Sequence, residues 1–153
     1  MIKDVKMIKK LDHALISSSD IDRSLAFYRD IIGLKVEFED ETSGKEFAAV
    51  MDAPSDFRAR VVQFEEGLEI CQFISPPGRE LNLKPWDIGA ILLDFEVSNL
   101  EETYSVLAGR GVNFISPPVA LRSPHPGGGS LKIAQLIGPD GERIALLEFP
   151  EVR

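Results

Sequence analysis

The chain has 153 residues, enough for one domain with a sizeable core, and 44% of them are hydrophobic, as in ordinary globular proteins. A net charge of −8 with no basic stripe argues against nucleic acid as a partner, and no apolar run approaches the roughly 20 residues that cross a bilayer. One cysteine excludes an internal disulfide and fits a reducing compartment; the opening "MIKDVKMIKK" has a signal peptide's lysines without its apolar stretch, so a cytoplasmic protein is expected.

From Leu11, "LDHALIS" reads as a short apolar strand that passes through a polar turn into a helix. Ile21, Leu25, Tyr28 and Ile32 form the helix's apolar stripe. Ser19-x-x-Asp22 is its expected capping box, in which the hydroxyl takes an orphan amide and the acid reaches back. Gly33 fits the left-handed residue that ends it. Strands are expected next at "EFAAVMD" (46–52), "RARVVQF" (58–64) and "LEICQF" (68–73). Trp86 follows in "LKPWDIG", where it either stacks on a ligand or covers packing surface.

The second half begins the same way. "AILLDFEVSNLEETYSVLAGRGVNF" from Ala90 runs from strand through turn to helix, with Leu100, Tyr104 and Leu107 as the stripe and Gly111 at the end. Placing His13 on Leu92 also places Ser19 on Ser98, Asp22 on Glu101 and Leu25 on Tyr104, so Ser98-x-x-Glu101 is a second expected capping box. Strands are expected at roughly "FISPPVAL" (114–121), at "LKIAQLI" (131–137) and, after the turn "GPDG", at "IALLEF" (144–149). "LEICQF" matches "IALLEF", which puts Glu69 on Ala145 and Cys71 on Leu147. "SPHPGGGS" (123–130), containing His125, reads as either a flap or a plain connection, and lacks the ending of a phosphate loop. Each half is thus βαβββ. The expected fold is α+β, a single domain over 1–153 with an internal repeat of roughly 10–75 and 88–150.

Two βαβββ units, with "HALISSSDIDRSLAFYRDIIGL" in the first and "GPDGERIALLEF" near the end, resemble the vicinal oxygen chelate superfamily, the glyoxalase, bleomycin-resistance and extradiol dioxygenase proteins. The resemblance spans about Lys10 to Phe149. It implies a cup-shaped mixed sheet with helices outside, and commonly a homodimer. It also implies one metal ligand on the first and last strand of each unit. Those positions fall on His13, Glu69, Leu92 and Ala145, so two of the four have lost their donor. The epimerase-type base of the superfamily would fall on Ala49, which argues against epimerisation.

A histidine and one carboxylate are too few donors for a tight catalytic metal site. Asp94, two residues beyond Leu92 on the same strand face, is the alternative third ligand, about 7 Å along by the strand rise. The favoured expectation is therefore a small organic ligand bound in the cup without a metal. His13 and Glu69 are the tentative proton-transfer residues, and Leu15, Cys71, Leu92, Asp94, Ala145 and Leu147 line the site. The alternative is a divalent-metal lyase, isomerase or dioxygenase using His13, Glu69 and Asp94. A ligand-free scaffold acting through dimerisation also stays open. Cys71 is either a reactive thiol or a small buried apolar residue.

Overall fold

The computed structural model describes residues 7–122 and 128–150. Most of the "SPHPGGGS" segment, His125 included, lies outside the described residues. The chain divides into two compact units, Met1–Gly78 and Arg79–Arg153.

In the first unit, β1 (Ala14–Ser17) leads into α1 (Ile21–Leu25), which continues as a π-helical stretch over Ala26–Ile32. Then come β2 (Val36–Ser43), a short helix α2 (Lys45–Val50), β3 (Arg58–Phe64) and β4 (Leu68–Ser75). The sheet has the order β1-β4-β3-β2, with β1 parallel to β4 and the other pairs antiparallel. The second unit repeats the plan with β5 (Leu92–Glu96), α3 (Leu100–Gly109), β6 (Val119–Arg122), β7 (Ser130–Ile137) and β8 (Arg143–Glu148). Its order is β5-β8-β7-β6, again with only the first pair parallel. The α+β class holds.

Each helix lies on one face of its own sheet, as the apolar stripes require. Ile21, Leu25 and Tyr28 are buried with Val62, Phe64, Leu68 and Ile70, and the Tyr28 and Phe64 rings stand 6.2 Å apart. Each such side chain contributes about 1.5–3 kcal/mol on full burial. In the second unit Leu100 and Leu107 are buried with Ala134, Leu136, Ile144 and Leu146. The helix-ending glycines take positive φ, 94° at Gly33 and 84° at Gly111.

The caps fall one residue later than the serines. Asp20 accepts the N–H groups of Asp22 and Arg23 at 3.1 Å each, and Asn99 accepts that of Glu102. Asp and Asn are as able to cap as Ser, and Ser19 instead takes the Arg23 guanidinium at 2.8 Å.

Two expected strands are corrected. "EFAAVMD" is mostly the helix α2; Gly44, at φ 108°, turns the chain out of the sheet, and the lysine, glutamate and alanines that follow favour helix. The strand there is the preceding "VEFEDETS", an edge whose acids hide its alternation and guard it against pairing with other chains. "FISPPVAL" pairs with β7 only in pieces. Phe114 bridges Leu136, pairing lapses at Ser116–Pro118, and β6 resumes at Val119, because prolines 117 and 118 have no N–H to give.

Candidate functional site

The sheet faces turned away from α1 and α3 carry the expected site residues. In the first unit, Leu15 stands opposite Glu69 and Ser17 opposite Cys71 across the parallel pair β1·β4. His13 is the residue before β1, anchored because Ala14 N–H donates to the Gly67 carbonyl at 3.0 Å.

The structure brings His13 and Glu69 together. Nδ1 of His13 lies 2.8 Å from the Asp12 carboxylate, and Nε2 lies 3.6 Å from Oε2 of Glu69. The hydrogen bond from His13, and after it the charge of Lys10, hold the Asp12 carboxyl below the usual range, so it is an ionised acceptor. Nδ1 therefore carries the hydrogen and donates it, and the ring turns Nε2 towards Glu69. At 3.6 Å the two groups are not hydrogen-bonded, so both keep hydrogen-bonding capacity for a ligand group that meets them from the side. Side-chain exposure is 31% for His13 and 12% for Glu69, a site half closed to water. Asp12 had no place in the sequence reading, although its position next to His13 was the available signal.

Further along the same face, α2 closes the sheet. Ala48, Phe57, Ala59 and Cys71 form a buried cluster, with Ala53, Val61 and Phe73 packed against it. Burial, and then the charge of Glu69, push the Cys71 thiol up to about 11. It is therefore a protonated, enclosed group at neutral pH, the small-apolar alternative of the two readings. A groove of about 210 Å³ on this unit is lined by Ile21, Glu39 to Glu41 and Arg60 to Val62, away from His13. Trp86, at 80% exposure, is an open surface residue.

In the second unit, Asp94 stands opposite Ala145, Leu92 opposite Arg143 and Glu96 opposite Leu147. Leu92, Asp94 and Glu96 do share one face, and they are exposed there, while Ala145 is buried. Glu148 points to the other face, as strand alternation demands. It accepts Leu100 N–H at 2.7 Å and pairs with Lys132 at 3.0 Å. The first of these contacts, then the second, holds its carboxyl below the usual range.

Two βαβββ units, each closing a mixed sheet by a parallel first–last strand pair, define the glyoxalase-fold class. The chain belongs to the Glyoxalase/Bleomycin resistance protein/Dioxygenase superfamily, whose model matches residues 10–146. Among solved structures it is similar to a glyoxalase family protein from Bacillus cereus, at 21% identity and TM-score 0.76, with 97% of each chain covered. It is also similar to the trypanothione-dependent glyoxalase I of Leishmania major, at 18% identity and TM-score 0.60, covering 92% of this chain and 87% of that one. A glyoxalase family protein from Enterococcus faecalis gives 21% and 0.61, with 92% and 98% covered. At these identities the likeness is one of fold. A comparison with curated proteins found no match.

Members of the superfamily often hold a divalent metal, and the donor set decides whether this chain fits one. His13 and Glu69 offer two donors in the first unit, whereas a catalytic site normally takes about three from the protein. Leu92 and Ala145, their counterparts in the repeat, have no donor atom, and no group of three or more His, Cys, Asp or Glu fit to hold a metal occurs among the described residues. The residues present do not fit the four-ligand site.

Proposed function

We propose that this protein binds a small organic molecule at His13 and Glu69, and that these two groups exchange a proton with it, without the four-ligand metal site of the superfamily. The observation that carries the reading is the Asp12–His13–Glu69 sequence of contacts, 2.8 Å and then 3.6 Å. Asp12 fixes the ring so that Nε2, the nitrogen able to take a proton, faces the half-buried carboxyl group. A hydroxyl, or a C–H beside a carbonyl, set against both groups would give its proton to Nε2 or to the Glu69 carboxylate, and the group that took the proton would return it to the ligand at another position. Leu15, opposite Glu69, supplies an apolar contact. A cytoplasmic homodimer fits the same reading, supported by the habits of the superfamily and by the lone cysteine.

A thermal-shift screen of small carbonyl and hydroxy compounds tests it, with His13→Ala and Glu69→Gln alongside the wild type. A hit whose affinity falls at least about tenfold in both variants supports the reading. Hits that bind both variants as tightly as the wild type would refute it.

A further inference from the structure

Glu69 has a neighbour on each side of β4. Leu15 faces it from β1 and Gln63 from β3, on the same face of the sheet. Residues directly opposite on antiparallel strands stand about 4.5–5.5 Å apart at Cβ, so a ligand that touches Glu69 is within reach of the Gln63 amide. Both side chains are partly exposed, beyond the residues that α2 covers. The amide is held in one orientation. Its Nε2 donates to Oε2 of Glu37 at 2.9 Å. A carboxylate only accepts, so the nitrogen faces Glu37 and the amide oxygen is left for another partner. Among the described residues no donor reaches that oxygen. Glu37 arrives there through a β-bulge. Pairing shifts from Val36 with Phe64 to Phe38 with Gln63, and Glu37 is the extra residue. Bulges re-aim side chains in this way beside active sites. In the second unit the glutamine of the same rung, Gln135, faces Ala145 instead.

We infer that Gln63 is a third ligand contact, which selects an uncharged carbonyl compound bearing two hydroxyls. The inference rests on the reading of His13 and Glu69 as the ligand site. Three acceptors then meet the ligand: Nε2 of His13, which carries no hydrogen, a carboxylate oxygen of Glu69, and Oε1 of Gln63. One hydroxyl meets Nε2 and Glu69, and a second donates to Oε1. A ligand without the second hydroxyl leaves that acceptor unmade and binds more weakly. Charge works against anionic relatives. The row carries the carboxyl groups of Asp12, Glu69 and Glu37, and the Lys10 ammonium already lies 3.7 Å from Asp12. A carboxylate or phosphate ligand would meet repulsion there.

The test measures Kd for hydroxyacetone and dihydroxyacetone in the full chain, from the shifts of the Leu15 and Glu69 backbone N–H signals. Dihydroxyacetone is expected to bind at least about fivefold more tightly, beyond the factor of about two that its two equivalent ends supply. Gln63→Leu should bring the ratio down to about two while hydroxyacetone still binds. Glu37→Ala, which frees the amide, should lower the ratio as well. Glycolate, the carboxylate counterpart of hydroxyacetone, should bind at least about tenfold more weakly than hydroxyacetone. A ratio of about two in the wild type, a ratio unchanged in either variant, or glycolate bound as tightly as hydroxyacetone would overturn this inference alone, provided hydroxyacetone binding is lost in His13→Ala. No binding of either compound, or binding that survives both His13→Ala and Glu69→Gln, would overturn it together with the reading it rests on.

Discussion

The Glu148 carboxylate accepts the first backbone N–H of α3, that of Leu100, at 2.7 Å. In the first unit the repeat-related Gln72 accepts the N–H of Ile21 at 3.1 Å. Both units thus tie the helix start to the last strand through one side chain. Because an amide serves in the first unit, Glu148→Gln should still fold at neutral pH, less stable than the wild type by the contribution of the carboxylate charge and its Lys132 pair. Glu148→Ala should be less stable, since it leaves the helix N-terminus short of an acceptor. The folded-state carboxyl titrates below its ordinary value of 4.5. Its contribution is therefore present above that value and is lost as pH falls through the folded value. Urea denaturation between about pH 6 and pH 3 should show that loss in the wild type and a flatter profile in Glu148→Gln.

Asp12 orients His13 without adding a donor of its own. In Asp12→Asn, the 15N spectrum of the His13 ring should shift away from the Nδ1–H tautomer, and any ligand dependent on His13 should bind several-fold more weakly. The Asp12 carboxyl is held below its ordinary value of 3.8. The orientation is thus present above that value and fades as pH falls through the lowered one. An unchanged tautomer in Asp12→Asn would remove Asp12 from the site.

Cys71, pushed up to about 11 and enclosed by Ala48, Phe57 and Ala59, should resist alkylation. Iodoacetamide at about pH 7.5 should label the denatured chain fully while native protein stays unmodified, because only the thiolate attacks. Rapid labelling of native protein would contradict this burial.

Tyr28→Ala should cost about 3–5 kcal/mol, the usual loss for deleting a buried aromatic side chain, read from the urea midpoint at constant m-value. Tyr28 is fully buried under the first helix and meets both Phe27 and Phe64. A change below about 1 kcal/mol would mean that this helix does not pack on its sheet as described.

Most of the fold was legible because strong periodicities repeat. The stripe Ile21–Leu25–Tyr28 and its counterpart at Leu100 and Leu107 named both helices, and β3, β4, β7 and β8 lie where apolar alternation put them. β2 was not legible because an edge strand needs little apolar surface, so Glu37, Glu39, Asp40 and Glu41 mask it. His13 and Glu69 were singled out through the superfamily's ligand positions, and the structure sets them 3.6 Å apart. Asp12 was not, since it occupies no such position and bears on His13 only as its neighbour. Alternation along β5 did place Asp94 with Leu92, and the register adds that Asp94 faces Ala145 across the ladder. The carboxylate that the first unit carries at Glu69, on its last strand, has its nearest counterpart here on the first strand.

The most direct measurement is metal content per chain, after purification without chelator and after dialysis against manganese, iron, cobalt, nickel and zinc in turn. With His13 and Glu69 as two donors and no group of three among the described residues, the expected result is well below one ion per chain under every condition, with no difference between wild type and His13→Ala. Close to one ion per chain in the wild type, lost in both His13→Ala and Glu69→Gln, would contradict the metal-independent reading and put metal-assisted chemistry in its place.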